Sequence, residues 1–239
     1  MSLQDLNVAG KKVLVRVDFN VPLDADKNVT DDTRIAKAAP TIIHLLEQGA
    51  AVILMSHLGR PQKKKLEDGS VDKAAFTLAP VIPVLQDHIG CQVQFVADTI
   101  GDGAQAAAAA LEPGQVLLLE NTRFYAGEKK GDDDLAKAMA ALGDFYVNDA
   151  FGAAHREHAS TATVARHFEP SKRAFGLLIE AELKGAERLL TNPARPVTAI
   201  VGGAKVSDKI LLLEKLIAFA DYIIIGGAMS YTFSLAEGV

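Results

Sequence analysis

Short aliphatic and β-branched runs recur along the chain, and longer stretches with helical spacing of apolar residues separate them. The runs at 12–17, 51–56, 92–96, 116–120, 144–148, 197–201 and 221–225 read as strands. Helical patterns cover 34–48 (with Asp32 or Thr33 as cap), 74–89, 101–111, 132–142, 174–190, 206–219 and 228–237. This alternation predicts an α/β fold: a doubly wound, Rossmann-like parallel sheet between two helical layers. The segment 191–196, TNPARP, breaks the pattern with two prolines. Residues 1–173 are therefore expected to form one domain, 174–191 a connecting helix, and 192–239 the opening of a second α/β domain. Two strands and two helices cannot cover both faces of a sheet, so that second unit is expected to be incomplete.

One run departs from the apolar pattern. In VLVRVDFNVPL (13–23), Val13, Val15, Val17, Phe19 and Val21 are apolar, whereas Arg16, Asp18 and Asn20 are not. Parallel strands are normally apolar on both faces, so a polar set at the C-terminal end needs a reason. In doubly wound sheets ligands sit beyond the carboxyl ends of the strands. His57 and Arg60 follow the second strand, and Glu120, Asn121 and Arg123 follow the fourth. Asp149, His155, Arg156 and His158 follow the fifth, and Arg34 enters the first helix. Of nine arginines, Arg16, Arg60, Arg123 and Arg156 lie in or just after strand ends. A single such arginine is commonly a surface ion pair; several on one edge point to a ligand. Arginine grips planar anions at two points, which fits a small molecule carrying phosphate and carboxylate.

Other candidates carry less. His155 and His158 lack a third ligand at metal spacing, so no metal site is expected there. Lys63, Lys64 and Lys65 read as a solvated loop, and His44 and His88 as surface residues. Gly202-Gly203, followed by Lys205 and Lys209, stands between a strand and a helix, and Gly226-Gly227 repeats the arrangement. Glycines admit close backbone approach and helix N-termini attract phosphate, so a nucleotide or phosphate site is expected here. The spacing is not that of a Walker A loop.

A net charge of −5 argues against nucleic-acid or anionic-membrane partners. The single cysteine, Cys91, excludes an internal disulfide and suits a reducing compartment. The first residues lack a signal-peptide apolar core, and no apolar run is long enough to span a bilayer. A soluble, cytoplasmic monomer is the expectation.

Taken together, Arg16-x-Asp18-x-Asn20-x-Pro22, HLGRP (57–61), ENTRF (120–124), NDAFGAAHREH (148–158), GGAKVSDK (202–209) and IIGGAM (224–229) resemble phosphoglycerate kinase, in that family's order, from about residue 5 to 239. The resemblance implies a two-domain hinge enzyme. Its N-terminal domain would bind 3-phosphoglycerate or 1,3-bisphosphoglycerate, and its second domain ADP or ATP with Mg2+. Asp18, Phe19 and Asn20 would contact substrate, with Asp18 and Asn20 at its hydroxyl and carboxylate. Arg34 would face the reacting carboxylate. His57, Arg60, Arg123 and Arg156 would hold the far phosphate, with Arg16 bracing the cluster, and Leu58 and Gly59 would also belong to the substrate-binding set. Lys205 would neutralise the transferring phosphoryl group. Lys209 would bind nucleotide phosphates, and Gly203, Gly226 and Gly227 would flank the adenine. The magnesium ligand is expected outside this chain. Ala153, Glu157, Thr122 and Ala181 depart from the family's usual residues, none at a carried-over site.

A carboxylate is already an anionic nucleophile at neutral pH, so no general base is needed. Positioning and cations would dominate, with Arg34 and Lys205 as the catalytic pair and domain closure excluding water. These 239 residues alone are expected to bind the phosphorylated acid weakly without turnover. A stand-alone binding module for such an acid is the alternative. Another small-anion kinase or a Rossmann-type dehydrogenase is a weaker reading, and the absence of a Gly-x-Gly-x-x-Gly after the first strand argues against the dehydrogenase.

Overall fold

A computed structural model describes residues 2–191, 193–203 and 206–238. The chain divides into two compact units, 1–182 and 183–239.

The first unit is built on six parallel strands: β1 (Lys12–Arg16), β2 (Ala51–Met55), β3 (Val93–Val96), β4 (Val116–Leu119), β5 (Phe145–Asn148) and β6 (Arg173–Phe175). They lie in the order β3-β4-β2-β1-β5-β6. β1 is central, with Val13 opposite Val52 on one side and Phe145 on the other. The chain first extends the sheet to one side of β1 and then returns to its other side. The crossovers beyond the C-terminal ends of β1 and β5 therefore diverge and leave a crevice.

Helices α1 (Thr33–Glu47), α2 (Lys73–Phe76), α3 (Ile82–Ile89), α4 (Asp102–Ala110), α5 (Asp133–Ala140), α6 (Phe151–Ala154) and α7 (Leu177–Thr191) follow in chain order. The strands are buried on both faces. Val13 and Val15 pack with Ile35, Ile42, Leu45 and Leu85 from α1 and α3. Leu14, Ile53 and Leu117 turn the other way, onto Ala104, Ala108, Leu135 and Met139 from α4 and α5. Arg16 continues the register of Leu14 and so enters this second layer.

The expected helix over 74–89 is interrupted. α2 ends at Phe76, and a 3-10 turn (Ala79–Val81) precedes α3. Glu120 accepts the Thr77 hydroxyl at 2.7 Å and the Leu78 N–H at 2.9 Å, which takes those groups away from a helix. Pro80 reinforces the break. The helix expected from 174 starts instead at Leu177, because 173–175 pairs with the open edge of β5 as β6. Gly176 makes this junction possible, since a Cβ there would stand 2.4 Å from the Asp149 carboxyl. Asp149 Oδ1 accepts the Leu178 and Ile179 N–H groups, closing the start of α7.

In the second unit β7 (Thr198–Gly202) pairs in parallel with β8 (Tyr222–Gly226), with α8 (Ile210–Ile217) and α9 (Met229–Ala236) following them. Val201, Leu213 and Met229 form its small core. Ile200, Leu211, Ile217 and Leu235 are exposed. No helix among the described residues is long and apolar enough to cross a membrane.

Candidate functional site

Beyond the C-terminal ends of β1, β2, β4 and β5 lies a cavity of about 450 Å³. Asp18, Asn20, Arg34, His57, Gly59, Arg60, Arg123 and Arg156 from the expected set all line it. Lys63, Lys129, Gln62 and Gly152 join them. Six cationic side chains thus face one space with a single carboxylate, Asp18, among the lining residues.

The carboxylate is held by the rim. Asp18 Oδ2 accepts from Arg34 at 2.6 Å, and the Asn20 N–H reaches Oδ1 at 3.3 Å. Asn20 Oδ1 takes the Gly59 N–H at 2.8 Å, leaving its amide N–H groups as donors for a ligand. Gly59 has φ +63°, and its carbonyl accepts from Arg123 at 2.7 Å. Arg123 is buried, and its Nε has no partner. Burial, then the neighbouring Arg16 charge, holds its guanidinium below the ordinary range, while Glu128 acts in the opposite direction. A cation so placed gains most when an anion enters. Arg34, Arg60 and Arg156 are exposed at the mouth.

Arg16 does not face this space. It is fully buried, donating to Ser160 Oγ at 2.7 Å, to the Val17 carbonyl, and to His57 Nδ1 at 2.9 Å. Burial, followed by the charges of Arg16 and Arg123, pushes the His57 value down to about 2. The ring is therefore neutral at working pH, and with Nδ1 accepting from Arg16 its proton resides on Nε2.

Two expected residues lie outside the lining. The Phe19 side chain sits in the core, and its N–H is taken by Ser56 Oγ at 2.8 Å. Leu58 is likewise in the core, with its carbonyl accepting from Asn121. Alternation along each segment sends these side chains inward while their neighbours face the cavity. Lys63 and Lys129 were not legible as site residues, because both sit in charged surface stretches far from any strand end in sequence. Of the four departures, Ala153 lines the cavity and Thr122 donates to buried Glu128, while Glu157 pairs with Arg166 at the surface. Among the described residues no group of three His, Cys, Asp or Glu side chains could hold a metal ion.

In the second unit the ends of β7 and β8 meet at Gly202 and Gly226. Gly203 accepts the Met229 N–H at 3.0 Å, and the Lys209 Nζ would stand 3.3 Å from a Cβ placed on Gly203. Gly227 has φ +67° and lies against the Gly203 backbone. Lys209, Gly203, Gly226 and Gly227 are thus adjacent, while Lys205 lies outside the described residues.

The family model described as phosphoglycerate kinase matches residues 3–239. A phosphoglycerate kinase of Ruegeria sp. is 52% identical over 238 residues, covering 100% of this chain and 57% of its own length. That of Herpetosiphon aurantiacus is 53% identical over 236 residues, covering 99% and 57%. The solved phosphoglycerate kinase of Coxiella burnetii superposes with a TM-score of 0.82 at 41% identity, covering 100% of this chain and 57% of that one. This chain therefore spans somewhat over half the length of the relatives it matches. With matching motifs, topology and full-length coverage of its own residues, the chain belongs to the phosphoglycerate kinase family.

Proposed function

We propose that the cavity of the first unit binds 3-phosphoglycerate or 1,3-bisphosphoglycerate, and that the glycine-lined end of β7 and β8 takes part in binding ADP or ATP. The reaction is reversible phosphoryl transfer between the acyl phosphate and the nucleotide. The observation that carries this reading is the convergence of six cations, a neutral histidine and a free amide on one 450 Å³ space. An ordinary surface charge cluster would be balanced by carboxylates; here Asp18 alone is present, and Arg34 already holds it.

The chemistry follows from the charges. The acid's carboxylate attacks phosphorus without losing a proton, so the residues need only hold anions in line and spread charge. Arg123, with its unpartnered Nε, and His57 suit the far phosphate. Arg34 and Asp18, at 2.6 Å, suit the carboxylate and hydroxyl end. Lys209 would meet nucleotide phosphates, and Lys205 the group in transfer. Magnesium typically arrives on the nucleotide and needs one or two carboxylates rather than a protein cage. The described residues contain no such cage, and no step here depends on one.

Calorimetric titration of 3-phosphoglycerate, glycerol 3-phosphate and inorganic phosphate tests the reading. The acid should bind most tightly, and Arg34→Ala should weaken it by about tenfold while leaving glycerol 3-phosphate, which lacks the carboxylate, almost unchanged. Equal losses for both would remove Arg34 from the carboxylate. Equal affinity of all three for the wild-type chain would refute the substrate assignment.

A further inference from the structure

Behind the cavity wall runs a buried polar chain that the cationic rim does not itself require. Glu128 is fully buried. It accepts the Ser160 N–H at 3.0 Å, the Ser160 hydroxyl at 2.6 Å and the Thr122 hydroxyl at 3.3 Å. Ser160 Oγ in turn accepts from Arg16 Nε at 2.7 Å, and Arg16 donates to His57 Nδ1 at 2.9 Å. The Tyr146 hydroxyl reaches the carbonyls of Ser160 and Thr161, at 2.9 and 3.0 Å, and fixes this turn.

The direction of every bond in the chain is determined. A guanidinium can only donate, so His57 Nδ1 must accept, and the ring proton resides on Nε2. The serine hydroxyl takes one hydrogen bond from Arg16 and gives its own proton to Glu128. Two fully buried opposite charges are thereby joined through one hydroxyl, which balances charges whose separate burial would be very unfavourable.

We propose that Glu128 is a positioning residue: through Ser160 it orients the Arg16 guanidinium, which keeps His57 as a neutral ring offering Nε2–H to the bound anion. This rests on the cavity being the phosphorylated-acid site. The competing arrangement is visible in the same geometry. Asp18 Oδ1 lies 4.0 Å from His57 Nδ1. Without Arg16 in place, a protonated Nδ1 would turn to Asp18 and draw it from Arg34. Arg16, Arg123, His158 and Arg34 all place positive or ionisable groups around the ring, opposed by Asp18. The relay thus governs two things at once: the donor that His57 presents, and the partner that Asp18 keeps.

Nitrogen-15 imidazole spectra of His57 in the 239-residue chain test this, with 3-phosphoglycerate titrations beside them. The wild type should hold the Nε2–H form across about pH 5.5 to 8. Ser160→Ala and Glu128→Gln should move the ring toward Nδ1–H or imidazolium and weaken 3-phosphoglycerate binding about tenfold. Ser160→Thr, which keeps a hydroxyl, should restore both. An Nδ1–H ring in the wild type, or an unchanged His57 spectrum in folded Ser160→Ala, overturns the proposal. Should Glu128→Gln fail to fold, those two measurements still decide. A ring that responds as expected in a protein that binds no 3-phosphoglycerate would support the relay and overturn only the ligand assignment.

Discussion

Replacing His57 by glutamine should flatten the acid side of the stability profile. An imidazole in the unfolded chain takes its proton near 6.5, whereas burial and the Arg16 charge push the folded value down to about 2. The folded value is the lower one, so in acid the unfolded state binds the extra proton. The contribution is intact above about 6.5 and is lost as pH falls through that value toward about 2. Between about pH 7 and 5 the fold keeps the ring neutral, so the loss equals the free energy of protonating one free imidazole, about 2 kcal/mol. His57 is 5% exposed, so solvent screening does not reduce this. His158, which burial also depresses, is present in both proteins and cancels in the comparison. Glutamine retains an acceptor for Arg16 and has no titration. The chain has no tryptophan, so urea unfolding is best followed by far-ultraviolet circular dichroism, in buffers free of phosphate. The wild type should lose about 2 kcal/mol more than His57→Gln on going from about pH 7 to 5. A difference below about 0.5 kcal/mol would mean that the folded ring titrates normally, and the neutral-donor account of the site would fail.

Two further substitutions test the supports of the cavity. Gly59→Ala would place a Cβ 2.6 Å from the Phe76 ring on a residue with φ +63°. It should cost about 1–3 kcal/mol in urea unfolding and also weaken 3-phosphoglycerate binding, because Gly59 bonds both Asn20 and Arg123; unchanged stability would deny the strain. Asp149→Ala strips the acceptor from Leu178 and Ile179 and should cost about 1–2 kcal/mol. Asp149→Asn keeps a carbonyl there and removes the buried Oδ2, which has no partner, so it should cost less than alanine. Equal losses would show that the charge, rather than the acceptor, holds the start of α7.

Residue order alone determined much of this protein. The period of each run located all the strands of the sheet but β6, and the rule that ligands lie beyond strand C-termini singled out Asp18, Asn20, His57, Arg60, Arg123 and Arg156, which the fold brings to one cavity. These are local signals, carried by neighbouring residues and by which end of a strand a polar group follows. Other features depend on groups far apart in the chain. Glu120 interrupts the helix expected from 74 by capturing Thr77 and Leu78. The open edge of β5 recruits 173–175 as a strand, where the helical pattern begins at 174. Lys63 reaches the cavity from a segment that reads as solvated loop, and Lys129 from a stretch the sequence does not mark, while Phe19 and Leu58 turn into the core. Arg16 shows the difference most clearly. Its place in an apolar strand marks it as unusual, but nothing near it in sequence tells whether its charge faces a ligand or the interior. Ser160 and Glu128, 144 and 112 positions away, decide that it faces inward, because a buried guanidinium goes where acceptors can satisfy it.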